Sequence, residues 1–372
     1  MTGSPLAILH TEASSGWGGQ EIRILTETAG LRERGHQVAI LCRPQSPLAR
    51  RAAESGLTVL TDPMPFALDP RAIGRMVQSL RRVRPQVLVT HSSIDSWCGG
   101  AAARLLRLPV VRVRHLSVPI GPNPATRFVY RALCDVVITT GESIRDHLIR
   151  EVGLPRAKVR SIPTGIDVSR FDPHKADARR VREGFGLAPD VPLVGIVATL
   201  RDWKGHRFFL QAMAKVRERL PAVRGLIVGD GPQRRNITRW LDELHLNETV
   251  ILAGQREDVP DILASLDVVV SASTGSEGVP QVLLQALAME RPVVASPVGG
   301  VPEVIRNGET GTVVPAGDSS RLAEAITAVL RDPAPFKAWA RTGGQWVRER
   351  WTLGHMLDEL EGVYARLAAA PW

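Results

Sequence analysis

The segment Thr274-Gly275-Ser276-Glu277-Gly278-Val279-Pro280-Gln281 runs straight into a helical pattern, Val282-Leu283-Leu284-Gln285-Ala286-Leu287-Ala288. A loop that leaves a strand and enters a helix presents unpaired amides to an anion or to hydroxyl groups. A carboxylate at its mouth, here Glu277, can accept hydrogen bonds from hydroxyls. Pro297-Val298-Gly299-Gly300-Val301-Pro302-Glu303 forms a second glycine-rich turn of the same strand-to-helix kind. Ser14 to Gln20 is a third, but it lacks the Gly-x-Gly-x-x-Gly order, and no ribose-binding acid follows about twenty residues later. A nicotinamide dehydrogenase is therefore disfavoured. No Asp-x-Asp closes any strand, which disfavours a metal-bridged diphosphate site.

These loops need a scaffold, and the pattern supplies one. In the first half, short apolar strands at 6–10, 37–42, 59–60, 87–90, 110–113 and 136–139 alternate with helical stretches at 20–34, 70–84, 96–106, 125–134 and 143–152. Such alternation implies a parallel sheet covered on both faces. The polar break Asp172-Pro173-His174-Lys175 interrupts it. A second series then begins, with strands at 191–198, 223–228, 250–253, 268–271, 293–296 and 311–314 and helices that include 281–289 and 320–330. The expected layout is an N-terminal Rossmann-like domain at 1–172, a C-terminal one at 186–345 and a helical segment at 346–372. Doubly wound units place ligands at the C-terminal ends of their strands, here facing a cleft between the domains. Trp339, Trp346 and Trp351 lead into the last amphipathic helix, 356–367, expected to return to the N-terminal domain.

Seven motifs in this order resemble the family-four retaining glycosyltransferases, over most of the chain. They are Gly18-Gly19-x-Glu21, Pro163-Thr164-Gly165-Ile166-Asp167, Leu200-Arg201-Asp202-Trp203-Lys204-Gly205, Val228-Gly229-Asp230-Gly231-Pro232, Ser276-Glu277-Gly278, Gly299-Gly300-Val301-Pro302-Glu303 and Asn307-Gly308-x-x-Gly311. The resemblance implies the GT-B fold, two Rossmann-like doubly wound α/β domains, and glycosyl transfer from a nucleotide-diphosphate sugar with retained configuration.

Roles follow by position. Glu277 matches the first acid of the family's paired-glutamate motif, which binds donor-sugar hydroxyls. The second falls on Gln285, whose amide can still hydrogen-bond the ribose diol. Lys204 matches the lysine facing the diphosphate. The family's arginine before that lysine is Thr199 here, and Arg201 is its substitute. His115, after the strand 110–113, matches the N-domain histidine near the sugar; His91 and His206 have weaker claims, each also fitting an ordinary packed histidine. Gly18 and Gly19 let the first helix's N-terminus approach the diphosphate. Gly278, Val279 and Gly229 belong to the donor motifs, and backbone around Gly254-Gln255-Arg256 recognises the base. With Lys204 and Arg201 as fixed charge on the leaving phosphate, no metal or other cofactor is expected. Domain closure would limit hydrolysis. Two other readings stay open: a sugar-nucleotide epimerase or phosphorylase on this scaffold, and a non-catalytic nucleotide-sugar-binding subunit, suggested by Gln285 and Thr199.

The 372 residues suit two domains. The net charge of +9 lies wholly in the first half, where 23 Lys+Arg face 14 Asp+Glu up to His174. No nucleic-acid motif accompanies this excess. An anionic membrane face would attract it, and an arginine-rich composition alone would also produce it. No run of eighteen apolar residues exists. The start lacks the features of a secretory signal, and three scattered cysteines, Cys42, Cys98 and Cys134, suit a reducing compartment. A cytoplasmic protein, peripheral at the inner membrane face, is expected, acting on a lipid-linked or cell-surface glycan acceptor in lipopolysaccharide or other polysaccharide biosynthesis.

Overall fold

The computed structural model describes residues 4–115, 120, 123–275 and 277–370. Ser276 of the glycine-rich loop lies outside the described residues. Two compact units are present, Met1–Thr164 with Leu353–Trp372, and Gly165–Thr352.

The first unit alternates β1 (Ala7–Glu12), α1 (Gly19–Glu33), β2 (Gln37–Cys42), α2 (Pro47–Glu54), β3 (Thr58–Thr61), α3 (Pro70–Val83), β4 (Val87–Thr90), α4 (Ser93–Leu105), β5 (Val110–Arg114), α5 (Pro124–Ala132), β6 (Val136–Thr139), α6 (Glu142–Arg150) and β7 (Val159–Ser161). The local chemistry explains the boundaries. Ser46-Pro47, Asp69-Pro70 and Asn123-Pro124 each place a capping side chain before a proline that cannot donate. Both features favour a helix start at that position. The strands are short and rich in β-branched residues, and they pair in parallel in the order β3-β2-β1-β4-β5-β6-β7. Pairing leaves β1 to opposite sides, through β2 and through β4, so the direction of winding reverses between β1 and β4.

The second unit contains α7 (Ala178–Gly184), β8 (Leu193–Val197), α8 (His206–Arg219), β9 (Arg224–Val228), α9 (Arg234–Glu243), β10 (Val250–Gly254), α10 (Val259–Ser265), β11 (Val268–Ser271), α11 (Gln281–Ala288), β12 (Val293–Ala295), β13 (Thr312–Val313), α12 (Ser319–Arg331) and α13 (Pro333–Arg350). Its parallel order is β10-β9-β8-β11-β12-β13, with the reversal between β8 and β11. Residues 165–185 and the tryptophan-bearing α13 pack with this unit.

The last helix, α14 (Leu353–Ala369), belongs to the first unit. Met356, Leu357, Leu360, Val363 and Tyr364 recur at helical spacing and pack on Ile8, Leu31, Val87 and Val113. Gly30 of α1 permits the close approach, because a Cβ there would run 2.6 Å from Leu357 Cδ1. Arg34 pairs with Asp358 at 2.7 Å and with Glu361 at 3.1 Å at the rim.

Candidate active site

In an open parallel sheet the crevice for a ligand lies beyond the strand ends, where the winding reverses. In the second unit that point is between β8 and β11, and the loops after these two strands carry Lys204 and Glu277. The first loop narrows to a 3-10 turn, Asp202–Lys204, closed by Gly205 at φ 74°. A Cβ at Gly205 would collide with the Ala272 carbonyl oxygen of the second loop. Thr274 N donates to Trp203 O at 2.8 Å, so the two loops are stitched together by backbone. The result brings Lys204 Nζ to 2.6 Å from Glu277 Oε1, and Ser273 Oγ donates to the same oxygen at 2.7 Å.

Glu277 is 5% exposed. Buried carboxylates persist only when charged or polar donors replace water, and here an ammonium and a hydroxyl do so. Its backbone is clamped too. Gly299, at φ 56°, leaves no room for a Cβ against the Glu277 carbonyl oxygen, and Gly300 N donates to Gly278 O at 3.1 Å. The turn after β12 therefore fixes the turn after β11.

The other sequence candidates in this unit take varied positions. Arg201 is exposed, its guanidinium 5.3 Å from the Trp203 ring centroid, and its carbonyl accepts from Lys204 N at 3.2 Å. Gly229 follows β9 at φ 137°, close under the Ala198 carbonyl. Val279 is buried in the core, and Gln285 is half-buried on α11. Gln255 is exposed just past β10, where Gly254 turns the chain at φ 70°. Arg256 forks onto Asp258 at 2.9 and 2.7 Å, which holds that carboxyl below its usual range. Its side chain is thus already engaged. His206 is buried, and burial pushes its pKa down to about 4, with nearby Lys204 adding to the effect.

In the first unit, Gly18 caps α1 and Gly19 opens it, so the helix N-terminus begins at the glycine pair. Glu12 ends β1 beside this turn. Its carboxylate accepts from Ser14 N at 2.7 Å and from the Gln20 amide. Burial, then the nearby Asp95 charge, raise its pKa to about 8. His115 follows β5 and is half-buried. Its Nε2 lies 3.0 Å from His91 Nδ1, and His91 Nε2 lies 3.0 Å from His10 Nδ1.

The residues 17–170 match the family model described as Glycosyltransferase Family 4, and 191–332 match Glycosyl transferases group 1. A GDP-mannose-dependent alpha-(1-6)-phosphatidylinositol monomannoside mannosyltransferase from Mycolicibacterium smegmatis is 30% identical over 335 residues, spanning 83% of this chain and 85% of that protein. The chain belongs to the group 1, family-4 glycosyltransferases. The fold agrees. A glycosyltransferase from Rickettsia africae superposes with a TM-score of 0.87 at 18% identity, over 99% of this chain and 100% of that one. The Anabaena HepE protein in complex with UDP and glucose gives 0.85 at 20% identity, over 97% and 100%.

No motif marks Ser273, the second donor to Glu277, or His10, which lies within a strand pattern; His91 also fits an ordinary packed histidine. The sequence shows only that His91 and His115 each directly follow a strand; that β1, β4 and β5 are neighbours is seen in the sheet alone.

Proposed function

We propose that this glycosyltransferase moves a sugar from a nucleoside-diphosphate sugar to an acceptor hydroxyl, retaining the anomeric configuration and using no divalent metal. The observation that carries the reading is the Lys204–Glu277 pair at the winding reversal of the second unit. Its carboxylate suits the hydroxyls of the donor sugar. An ammonium has three donors, so Lys204 can hold Glu277 and still face a phosphate oxygen. As the bond between the anomeric carbon and the leaving oxygen breaks, charge grows on the diphosphate, and Lys204 with Arg201 stabilises it. The acceptor oxygen bonds to the same face while its proton passes to the departing phosphate. No protein base is then required.

The relatives bracket the donor: one is named for GDP-mannose, and HepE holds UDP and glucose. The test is calorimetry with UDP, GDP, ADP and their common sugars, with and without EDTA, on wild type and Glu277→Ala. One nucleotide should bind in EDTA, and its sugar form should gain affinity that the variant loses. Binding that requires magnesium, or a variant that binds like wild type, contradicts the reading.

For the acceptor we propose a lipid-linked or surface glycan at the cytoplasmic face of a membrane. The relative named for a phosphatidylinositol monomannoside acceptor supports this. So does the first unit's surface, where Phe66 and Phe128 are 59% and 51% exposed and Phe128 stacks on Trp97. Arg71, Arg127 and Arg131 are exposed on the helices alongside. Apolar side chains among basic ones suit an anionic bilayer surface. Among the described residues no helix is long and apolar enough to cross a membrane. Vesicles containing phosphatidylglycerol should bind the enzyme in a salt-sensitive way, and Phe66→Ser with Phe128→Ser should weaken that binding. Equal binding to neutral vesicles, together with preference for a small soluble acceptor, argues against it.

A further inference from the structure

His10, His91 and His115 form one hydrogen-bonded file that begins at a buried ionic cluster. Tyr364 Oη donates to Glu27 Oε1 at 2.6 Å, and Arg23 Nε lies 3.5 Å from Glu27 Oε2. Arg23 is further held by Ile162 O at 2.8 Å and Thr164 Oγ1 at 3.2 Å. Glu27 Oε1 stands 3.9 Å from His10 Nε2, which has no hydrogen-bond partner among the described residues. From there the file runs through the two 3.0 Å ring contacts to His115. The rings of His10 and His91 are stacked, as are those of His91 and His115.

A neutral imidazole carries one N–H, and each ring-to-ring bond needs one proton. Two arrangements satisfy both bonds. In one, His91 donates from Nε2 to His10, so His10 carries its proton on Nε2, toward Glu27. His91 Nδ1 is then bare, His115 donates to it from Nε2, and His115 Nδ1 is left as a lone pair. In the other, every proton moves to the opposite nitrogen. His10 then turns a lone pair toward a carboxylate, and His115 Nδ1 becomes a donor. Facing a buried anion, an N–H is favoured over a lone pair.

We infer that Glu27, acting through His10 and His91, fixes the tautomer of His115 so that its Nδ1 is a hydrogen-bond acceptor. Glu27, His10 and His91 are positioning residues, and His115 is the group they set. The file must be neutral to behave this way. Burial lowers the pKa of all three rings, His91 and His115 well below the ordinary histidine value. Among the described residues, Glu27, Arg23 and Arg114 act on the rings through space, and buried Asp95 accepts from the His91 backbone N–H at 2.8 Å. At His10 the pull of Glu27 exceeds the push of Arg23. The consequence for specificity rests on the place near the donor sugar that the family resemblance implies for His115. An acceptor nitrogen accepts a hydrogen bond from a sugar hydroxyl and donates none to a phosphate or carbonyl oxygen.

The test is a nitrogen-15 histidine spectrum of the full chain at neutral pH, which separates protonated from bare ring nitrogens. His115, assigned by its loss in His115→Gln, should be protonated at Nε2 and bare at Nδ1. In Glu27→Gln and in His10→Phe it should shift to a mixture of tautomers or to the reverse one. A wild-type His115 protonated at Nδ1, or a tautomer unmoved in both variants, overturns the proposal. The wild-type spectrum decides the sign even if neither variant folds. Adding UDP-glucose or GDP-mannose tests the underlying site separately. His115 Nδ1 should shift with the sugar nucleotide that binds and not with its free nucleoside diphosphate. A correct tautomer with no such shift retains the relay and removes the donor-sugar role.

Discussion

Lys204 Nζ and Glu277 Oε1 form a 2.6 Å ion pair between the loops that follow β8 and β11, with Glu277 buried and Lys204 partly open. The pair joins two roles that the motifs assign to separate parts of a donor, the phosphate and the sugar. It also sets an energetic relation between them. Removing Lys204 leaves a buried carboxylate held by the Ser273 hydroxyl, whereas removing the charge of Glu277 frees the ammonium.

Lys204→Ala should therefore lower kcat by about 10²–10³, the scale of losing one preorganised donor to developing charge. It should also cost about 1–3 kcal/mol of stability through the stranded carboxylate. In the double variant with Glu277→Gln the stability loss should shrink, because no buried charge remains. Additive losses in a urea-melt cycle would sink the coupling.

Gly299 should tolerate no side chain. At φ 56° against the Glu277 carbonyl, Gly299→Ala adds a collision to backbone strain, and a loss of about 1–3 kcal/mol with most activity gone is expected. Gly308, at φ 77° with open space around it, is the control. Gly308→Ala should show the strain alone, about 1 kcal/mol, with activity kept. Initial rates and urea midpoints of the two proteins check this, and equal activity losses would refute it.

Glu12 makes stability depend on pH in an unusual direction. Its carboxyl is raised from the ordinary 4.5 to about 8 in the folded protein, by burial and by Asp95. The unfolded chain releases that proton earlier. The contribution is complete below about 4.5 and is lost as pH climbs toward 8. Buried Asp95 is raised as well and pulls the same way. Thermal midpoints of wild type should fall between pH 5 and pH 8 more than those of Glu12→Gln, which keeps a neutral group. Parallel curves would show that Glu12 is not responsible.

Leu360→Ala removes a fully buried contact between α14 and the first unit's sheet, at a cost of about 2–5 kcal/mol. Hydrogen exchange should locate the loss. Amides of α1, β1 and β4 should lose protection while those of β8, β9 and β11 keep it. Uniform loss across both units would contradict the assignment of α14 to the first one.

Much of this enzyme was legible in the sequence because the responsible forces are local. Runs such as Val87-Leu88-Val89-Thr90 declare a buried parallel strand, and Asp69-Pro70 declares a helix start, without reference to anything distant. The glycine turns at Gly18-Gly19, Gly205, Gly229 and Gly299 mark strand-to-helix loops for the same reason. The family motifs imply roles for Glu277 and Lys204, and the departures at Thr199 and Gln285 are visible as letters. The guanidinium of Arg256 is committed to Asp258 two residues on, a partner that the letters alone do not reveal; the backbone of this turn, the part expected to meet the base, is not involved.

The sequence by itself determined two doubly wound units and most of their strands, since period and turn residues act over a few positions; it missed α2 and the three-residue β7 and ended β1 two residues short of Glu12. Tertiary structure alone decided which loops meet. Lys204 reaches Glu277 because β8 and β11 are neighbours although α8, β9, α9, β10 and α10 lie between them in the chain. His10, His91 and His115 form a file because β1, β4 and β5 lie side by side. Strand order is set by packing of whole helices and sheets, and no short window of sequence contains it. Hydrogen bonds and ion pairs act over about 3 Å, so the partners of a side chain become known only when that order is known.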